Sequence, residues 1–231
     1  MNVGEDYILQ VSDLRVKLQN QTIIDNLNFK LRRGLTLALV GPNGAGKTML
    51  LRALVNLVPY SGTIKWDSKV KVGYVPQLLS VREVPISVRE FLSVKDGSKV
   101  EGSLRSVGLD KGIMDKSLGV LSGGQLRRVL IAWAVIDEPD IMLLDEPTTG
   151  VDPGAEEAIY EMLRRLTKEK GITLILVSHD IHIIREFSDY ILAMDRCMVF
   201  FGESKEIMRP EVQRAIYGEE HVCMYVAADG K

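Results

Sequence analysis

Leu35-Thr36-Leu37-Ala38-Leu39-Val40 runs straight into Gly41-Pro42-Asn43-Gly44-Ala45-Gly46-Lys47-Thr48. The first six residues are almost continuously apolar, the pattern of a strand buried on both faces. A glycine-rich turn follows. A helical stretch from about Lys47 to Leu57 then stops before Pro59, where the residue preceding a proline disfavours helix. The turn fits G-x-x-x-x-G-K-[ST] in its strand–turn–helix setting. A bound polyphosphate needs several backbone N–H groups pointing inward, and glycine lets the backbone approach that closely. The following helix start adds roughly half a positive charge aimed at the anion. Lys47 is suited to the β- and γ-phosphates, and the Thr48 hydroxyl to Mg²⁺. All eight residues from Gly41 to Thr48 are therefore candidate nucleotide contacts.

Outward from this turn, strands alternate with helices. Residues 8–31 read as two or three short strands, and 60–77 as short strands again. From Ser87 to Ile136 the pattern is helical, interrupted at Gly97, Gly102, Gly108 and Gly119. Ile141–Leu144 and Ile172–Val177 are buried-strand runs. Helical spacing covers Ala155 to Lys170 and stops at Gly171. A short helix over Ile181–Phe187 precedes a strand at Tyr190–Met194. This alternation predicts an α/β fold with a mostly parallel sheet. Its N-terminal part is expected to be antiparallel β, and the helical middle, about 86–136, an inserted subdomain of one composite domain covering 1–231.

Composition bounds the partners. The chain has 231 residues, 46% hydrophobic and 26% charged, with a formal charge of −2. No basic excess points to nucleic acid. Cys197 and Cys223 are the only cysteines, so a disulfide framework or thiolate zinc site is not expected, and a reducing compartment is. No apolar run approaches the ~18–20 residues that span a bilayer. The opening Met1–Asp6 lacks the order of a signal peptide. These readings place the chain in the cytoplasm, with any membrane role coming through a partner.

Asp145-Glu146 follows directly on Ile141–Leu144, at the sheet edge where ligands bind in such folds. Asp145 is placed to hold Mg²⁺ through water, and Glu146 to polarise a water attacking a γ-phosphate. An acidic pair after a strand can also be a helix cap or a solvated turn. His179 follows Ile172–Ser178 and would share that edge, where it could donate to the phosphate or the water. With His182 it spells H-x-x-H, but no third metal ligand is apparent nearby. His221 lies in a polar tail.

Leu121-Ser122-Gly123-Gly124-Gln125 is far more specific than a phosphate loop. Together with Gly41–Thr48 and Ile141–Pro147, in that order, it makes the chain resemble the ATP-binding subunit of an ABC transporter, over about Ile8 to Gly218. The resemblance implies a fold with a P-loop NTPase core, and hydrolysis of ATP with Mg²⁺. It implies a head-to-tail pair with a second copy. Ser122, Gly124 and Gln125 would meet the nucleotide bound to that copy, and Asp152 would lie in the loop that speaks across the dimer. Gln77, in Tyr74-Val75-Pro76-Gln77, matches the glutamine that senses Mg²⁺ and γ-phosphate. Glu146 matches the catalytic glutamate and His179 the switch histidine, which with Gln77 and Lys47 complete the catalytic set. Thr48, Gln77 and Asp145 are the implied metal contacts. The implied setting is the cytoplasmic face of a membrane, beside integral-membrane permease subunits and an extracytoplasmic solute-binding protein.

The chain departs from the family pattern at three places. Leu18 stands where an adenine-stacking aromatic is common. Leu126-Arg127-Arg128 follows the signature, and Trp133 replaces a frequent arginine. The short spacing from Lys47 to Gln77, Ser61–Trp66, Pro85–Leu92 and Ile216-Tyr217-Gly218 are similar to importers of zinc, manganese or chelated iron. Metal uptake is therefore the expectation, with a different solute or a non-transport ABC ATPase such as an assembly factor as alternatives.

Overall fold

A computed structural model describes residues 6–77 and 85–218. They form two compact units, one from the stretches up to Val70 and from Thr173 onward, the other from Lys71 to Ile172.

The first unit begins with two long antiparallel strands, β1 (Tyr7–Leu18) and β2 (Gln21–Arg32). The expectation of two or three short strands is corrected here. Asp13 and Asn26 take left-handed backbone, φ 52° each, and the ladder shifts register around them without ending. The Asn28 side chain accepts from Asp13 N at 2.8 Å and donates to Asn26 O at 3.0 Å, satisfying polar groups that the irregularity displaces. A further strand, β4 (Ser61–Trp66), flanks β1 antiparallel. Between them in sequence lie β3 (Thr36–Val40), buried at every position, and helix α1 (Lys47–Leu54).

β3 sits centrally in the parallel part of this unit. It pairs in parallel with β7 (Thr173–Val177) on one side and β8 (Tyr190–Asp195) on the other. β9 (Cys197–Glu203), which the sequence pattern did not disclose, returns antiparallel on β8. Helices α6 (Ile181–Phe187) and α7 (Pro210–Tyr217) bury Ile184, Val212 and Ile216 in a cluster with Ala38, Val40, Ile191, Ala193 and Val199. Removing such side chains from water is worth about 1.5–3 kcal/mol each for the larger ones. Cys197, at the start of β9, is buried. Cys223 and His221 lie outside the described residues.

In the second unit β5 (Val72–Val75) pairs in parallel with β6 (Ile141–Leu144). The span expected to be a helical insert carries α2 (Val88–Ser93), α3 (Val100–Ser106) and α4 (Gly123–Val135), with short 3₁₀ turns between them. Ser87 caps α2 through a reciprocal box with Glu90. Trp133 on α4 stacks on Phe91 at 6.1 Å between ring centroids, and Lys95 Nζ lies 3.8 Å from the Trp133 centroid. The tryptophan thus serves helix packing. α5 (Pro153–Lys170) follows β6, entered through an Asp152 cap and left through Gly171 at φ 65°. Parallel strands, antiparallel strands and helices together make the mixed α/β fold that the sequence predicts.

Candidate functional site

The phosphate loop forms at the C-terminal end of β3. Gly41 sits at φ 139°, and a Cβ there would lie 2.1 Å from Met194 O at the end of β8. Gly46 sits at φ 100°, and a Cβ there would come within 3.1 Å of both Ile23 O and the Ile24 side chain of β2. A side chain at either position would be strained by the backbone and crowded by its neighbours, so the loop packs closely against β8 and β2. Arg196 N donates to Ala45 O at 2.9 Å and buttresses the loop from the β8–β9 connection. Lys47 is only 6% exposed, and its Nζ donates to Gly41 O at 2.7 Å and Pro42 O at 2.8 Å. The ammonium therefore already lies along the loop that a phosphate would line. Thr48 stands beside it in the first turn of α1, half-buried.

His179 belongs to the same rim. Leu39 pairs with Val177 in the parallel register, so two residues onward Gly41 and His179 leave adjacent strands at one edge. His179 is exposed, while Ser178 before it is buried and accepts from Asp180 N at 3.2 Å through its hydroxyl. Among the described residues no group of three or more His, Cys, Asp or Glu could hold a metal ion.

In the second unit the carboxylates stand where the sequence predicts. Val75 pairs with Leu144, so Pro76-Gln77 and Asp145-Glu146 leave β5 and β6 side by side. Asp145 N donates to Val75 O at 3.0 Å, and the Asp145 residue is 1% exposed. Glu146 takes left-handed backbone at φ 48°, a conformation that costs a non-glycine residue of order 1 kcal/mol or more and gathers at working sites. Its Oε2 accepts from Gln77 Nε2 at 2.5 Å and from Thr149 Oγ1 at 2.7 Å. Two donors on one oxygen fix the carboxylate plane. Gln77 spends its amide N–H on Glu146, so Oε1 is the end of that side chain suited to a cation.

Taken residue by residue, the groups expected to hold Mg²⁺ have the chemistry it prefers: Thr48 in the first unit offers a hydroxyl, and Gln77 and Asp145 in the second offer an amide oxygen and a carboxylate, all hard oxygens.

Arg127, on α4, is a functional candidate that sequence reading left as a mere departure. It is 6% exposed, and its guanidinium donates to Pro76 O at 3.1 Å and Gln77 O at 2.9 Å. Burial pushes its pKa down, while the charges of Asp145 and Glu146 hold it up.

The signature residues start α4. Ser122 Oγ accepts from Gln125 N at 3.2 Å, and Gln125 Oε1 accepts from Ser122 N at 3.2 Å. This reciprocal box leaves the Gly123 and Gly124 N–H groups at the helix start, where no intrahelical acceptor exists for them. A Cβ on Gly123 would lie 2.4 Å from Gly150 O, and one on Gly124 3.2 Å from Ala155 Cβ. The signature turn is therefore seated against the Gly150–Ala155 segment. Asp152 lies in that segment, and its carboxylate accepts from Ala155 N at 3.1 Å. Its visible work is to cap α5. Leu18 ends β1 opposite Gln21, 38% exposed.

A sequence profile described as "ABC transporter" matches residues 24–149. A second, "AAA domain, putative AbiEii toxin, Type IV TA system", matches the shorter stretch 117–185. A zinc import ATP-binding protein, ZnuC, of Pseudomonas savastanoi pv. phaseolicola is 33% identical over 93% of this chain and 82% of its own. A "probable metal transport system ATP-binding protein" of Thermotoga maritima is 37% identical over 91% of this chain and 90% of its own. Among solved structures, a transporter described as of the metal-chelate ABC type, in an inward-facing conformation, is similar with a TM-score of 0.83 at 26% identity. The match covers 91% of this chain and 89% of that one.

Proposed function

The chain belongs to the ABC transporter family, as an ATP-binding and ATP-hydrolysing subunit, and from that premise we propose that it powers metal-ion uptake. The observation that carries the solute class is the match, over nearly the whole chain, to relatives named for zinc import and metal transport. Subunits of this family work with membrane-embedded permeases. No helix among the described residues is long and apolar enough to cross a membrane, and the proposed location is the cytoplasmic face, beside the permease. An extracytoplasmic solute-binding protein would deliver the ion. The chain would serve as one ATP-binding domain, 1–231, with the helical subdomain 86–136 carried inside it.

The site residues take the following roles in this reading. Gly41 through Thr48 wrap the triphosphate, with Lys47 neutralising the β- and γ-oxygens. Mg²⁺, held by Thr48, Gln77 and Asp145, would supply charge neutralisation on the phosphates. Glu146 accepts a proton from the attacking water. Gln77 and Thr149 keep its carboxylate oriented, as supported by their shared bond to Oε2. His179, at the rim beside Gly41, donates to the γ-phosphate. Ser122, Gly124, Gln125 and Asp152 act on a second copy, the turn of Gly123 and Gly124 offering N–H groups to its γ-phosphate. Closing on ATP and opening after hydrolysis would convert a difference in nucleotide affinity into movement of the permease.

Metal content of cells tests the solute class. A strain lacking this chain should accumulate less of one of zinc, manganese or iron. The wild-type gene should restore uptake, and Glu146→Gln should not. Unchanged accumulation of all three would refute the proposal, and recovery of the chain in the cytosol instead of with membranes would favour a non-transport ATPase.

A further inference from the structure

We infer that Arg127 is a positioning residue for hydrolysis, holding the Pro76–Gln77 main chain so that the Gln77 amide reaches Glu146. The inference rests on the roles proposed above for Gln77 and Glu146. Arg127 lies on the second turn of α4, the helix that Ser122 begins. Its side chain is buried, and its two terminal nitrogens reach two consecutive carbonyls, Pro76 O at 3.1 Å and Gln77 O at 2.9 Å. Those carbonyls directly follow β5, where the chain leaves the sheet and loses its ladder bonds. The Pro76 ring fixes φ there, but its ψ and the Gln77 main chain still need an anchor. The guanidinium fork supplies that anchor from outside the strand pair, and its rigid planar geometry suits two parallel acceptors better than an ammonium does.

The same residue meets the charge requirement. A buried cation needs compensation, and the Asp145 and Glu146 charges supply it across the short gap from α4. The chain of contacts then runs from the α4 backbone, through Arg127, to the Gln77 main chain, and through the Gln77 amide at 2.5 Å to Glu146 Oε2. Because α4 starts at the signature turn, a displacement of that turn would be transmitted to the carboxylate. Arg127 touches neither phosphate nor water in this scheme. Its effect passes wholly through Gln77.

The test is a double-mutant cycle on the full chain, reading steady-state hydrolysis, fluorescent-nucleotide affinity and thermal midpoint. Arg127→Met, which keeps the volume and removes both donors, should lower kcat about tenfold with nucleotide affinity kept within about twofold. Arg127→Lys should recover part of the rate, since it keeps the charge and one donor. In a Gln77→Ala background the Arg127→Met change should cost less than about twofold more. A kcat for Arg127→Met within twofold of wild type, or losses that multiply in the Gln77→Ala background, would overturn the inference alone. A wild-type rate for Gln77→Ala itself would instead overturn the role of Gln77, and the route through it. If Arg127→Met does not fold, Arg127→Lys carries the same cycle.

Discussion

In the roles proposed above Lys47 serves binding and Glu146 serves chemistry, and the surroundings of each support that division. Lys47 is buried along the loop carbonyls that frame the phosphate position, so its charge serves the ground state and the transition state alike. Lys47→Ala should lose nucleotide affinity outright. Glu146 is held by its own Oε2 and by strained backbone, with no comparable place in the loop. Glu146→Gln keeps the size and removes the base, so nucleotide affinity should stay while hydrolysis falls about a hundredfold or more. Hydrolysis of the Gln variant at the wild-type rate would refute the assignment. The placement of both was legible in the sequence, because Lys47 ends a glycine-rich turn that follows the apolar run of β3 and Glu146 comes just after the apolar run of β6. Arg127 was not legible. Its partners are main-chain carbonyls some fifty residues away, and main-chain acceptors leave no mark on residue identity.

At the scale of elements, the strand–turn–helix units read correctly where one residue type was forced. Gly171 ends α5, which begins at Pro153, two residues before the expected Ala155, while Ser122 and Ser87 start α4 and α2. Reading failed where tertiary contacts set the backbone. β1 and β2 seemed broken because Asp13 and Asn26 interrupt their alternation, yet the ladder passes through both. β9 was missed because its turn is made by Arg196 at φ 61°, with no glycine or asparagine to announce it. That turn is held by bonds from Arg196 N to Ala45 O and from Asp25 N to Arg196 O, so the phosphate loop and the hairpin support each other. The α4 start invites a separation of cap from function. Ser122→Ala should cost about 1 kcal/mol through the lost cap, a fall of roughly 2–4 °C in thermal midpoint for a chain of this size. Ser122→Asn keeps a good capping group, so the midpoint should return toward wild type. Hydrolysis should stay impaired in both, because the hydroxyl proposed to meet the partner's nucleotide is gone. Wild-type hydrolysis by Ser122→Asn would reduce Ser122 to a cap.

Among the described residues, two helix starts are those proposed above to meet phosphate. One lies in the first unit, at Gly46–Thr48, and follows glycines whose positive φ any side chain would strain. The other lies in the second unit, at Ser122–Gly124, and is seated against Gly150. In the head-to-tail pair proposed above, the second start would meet the γ-phosphate of the other copy, and every contact would be doubled by symmetry. The pair should then depend on the γ-phosphate and on its survival. Glu146→Gln should sediment as a dimer in Mg-ATP and as a monomer in ADP, because only the triphosphate reaches both helix starts. The wild-type chain should fall back to monomer as ATP is consumed. Adding Ser122→Asn to the Glu146→Gln chain should weaken the dimer without weakening nucleotide binding to the monomer, since the two starts bind at different copies. A Glu146→Gln chain that stays monomeric in saturating Mg-ATP would refute the head-to-tail site, and would leave the signature turn as a helix cap alone.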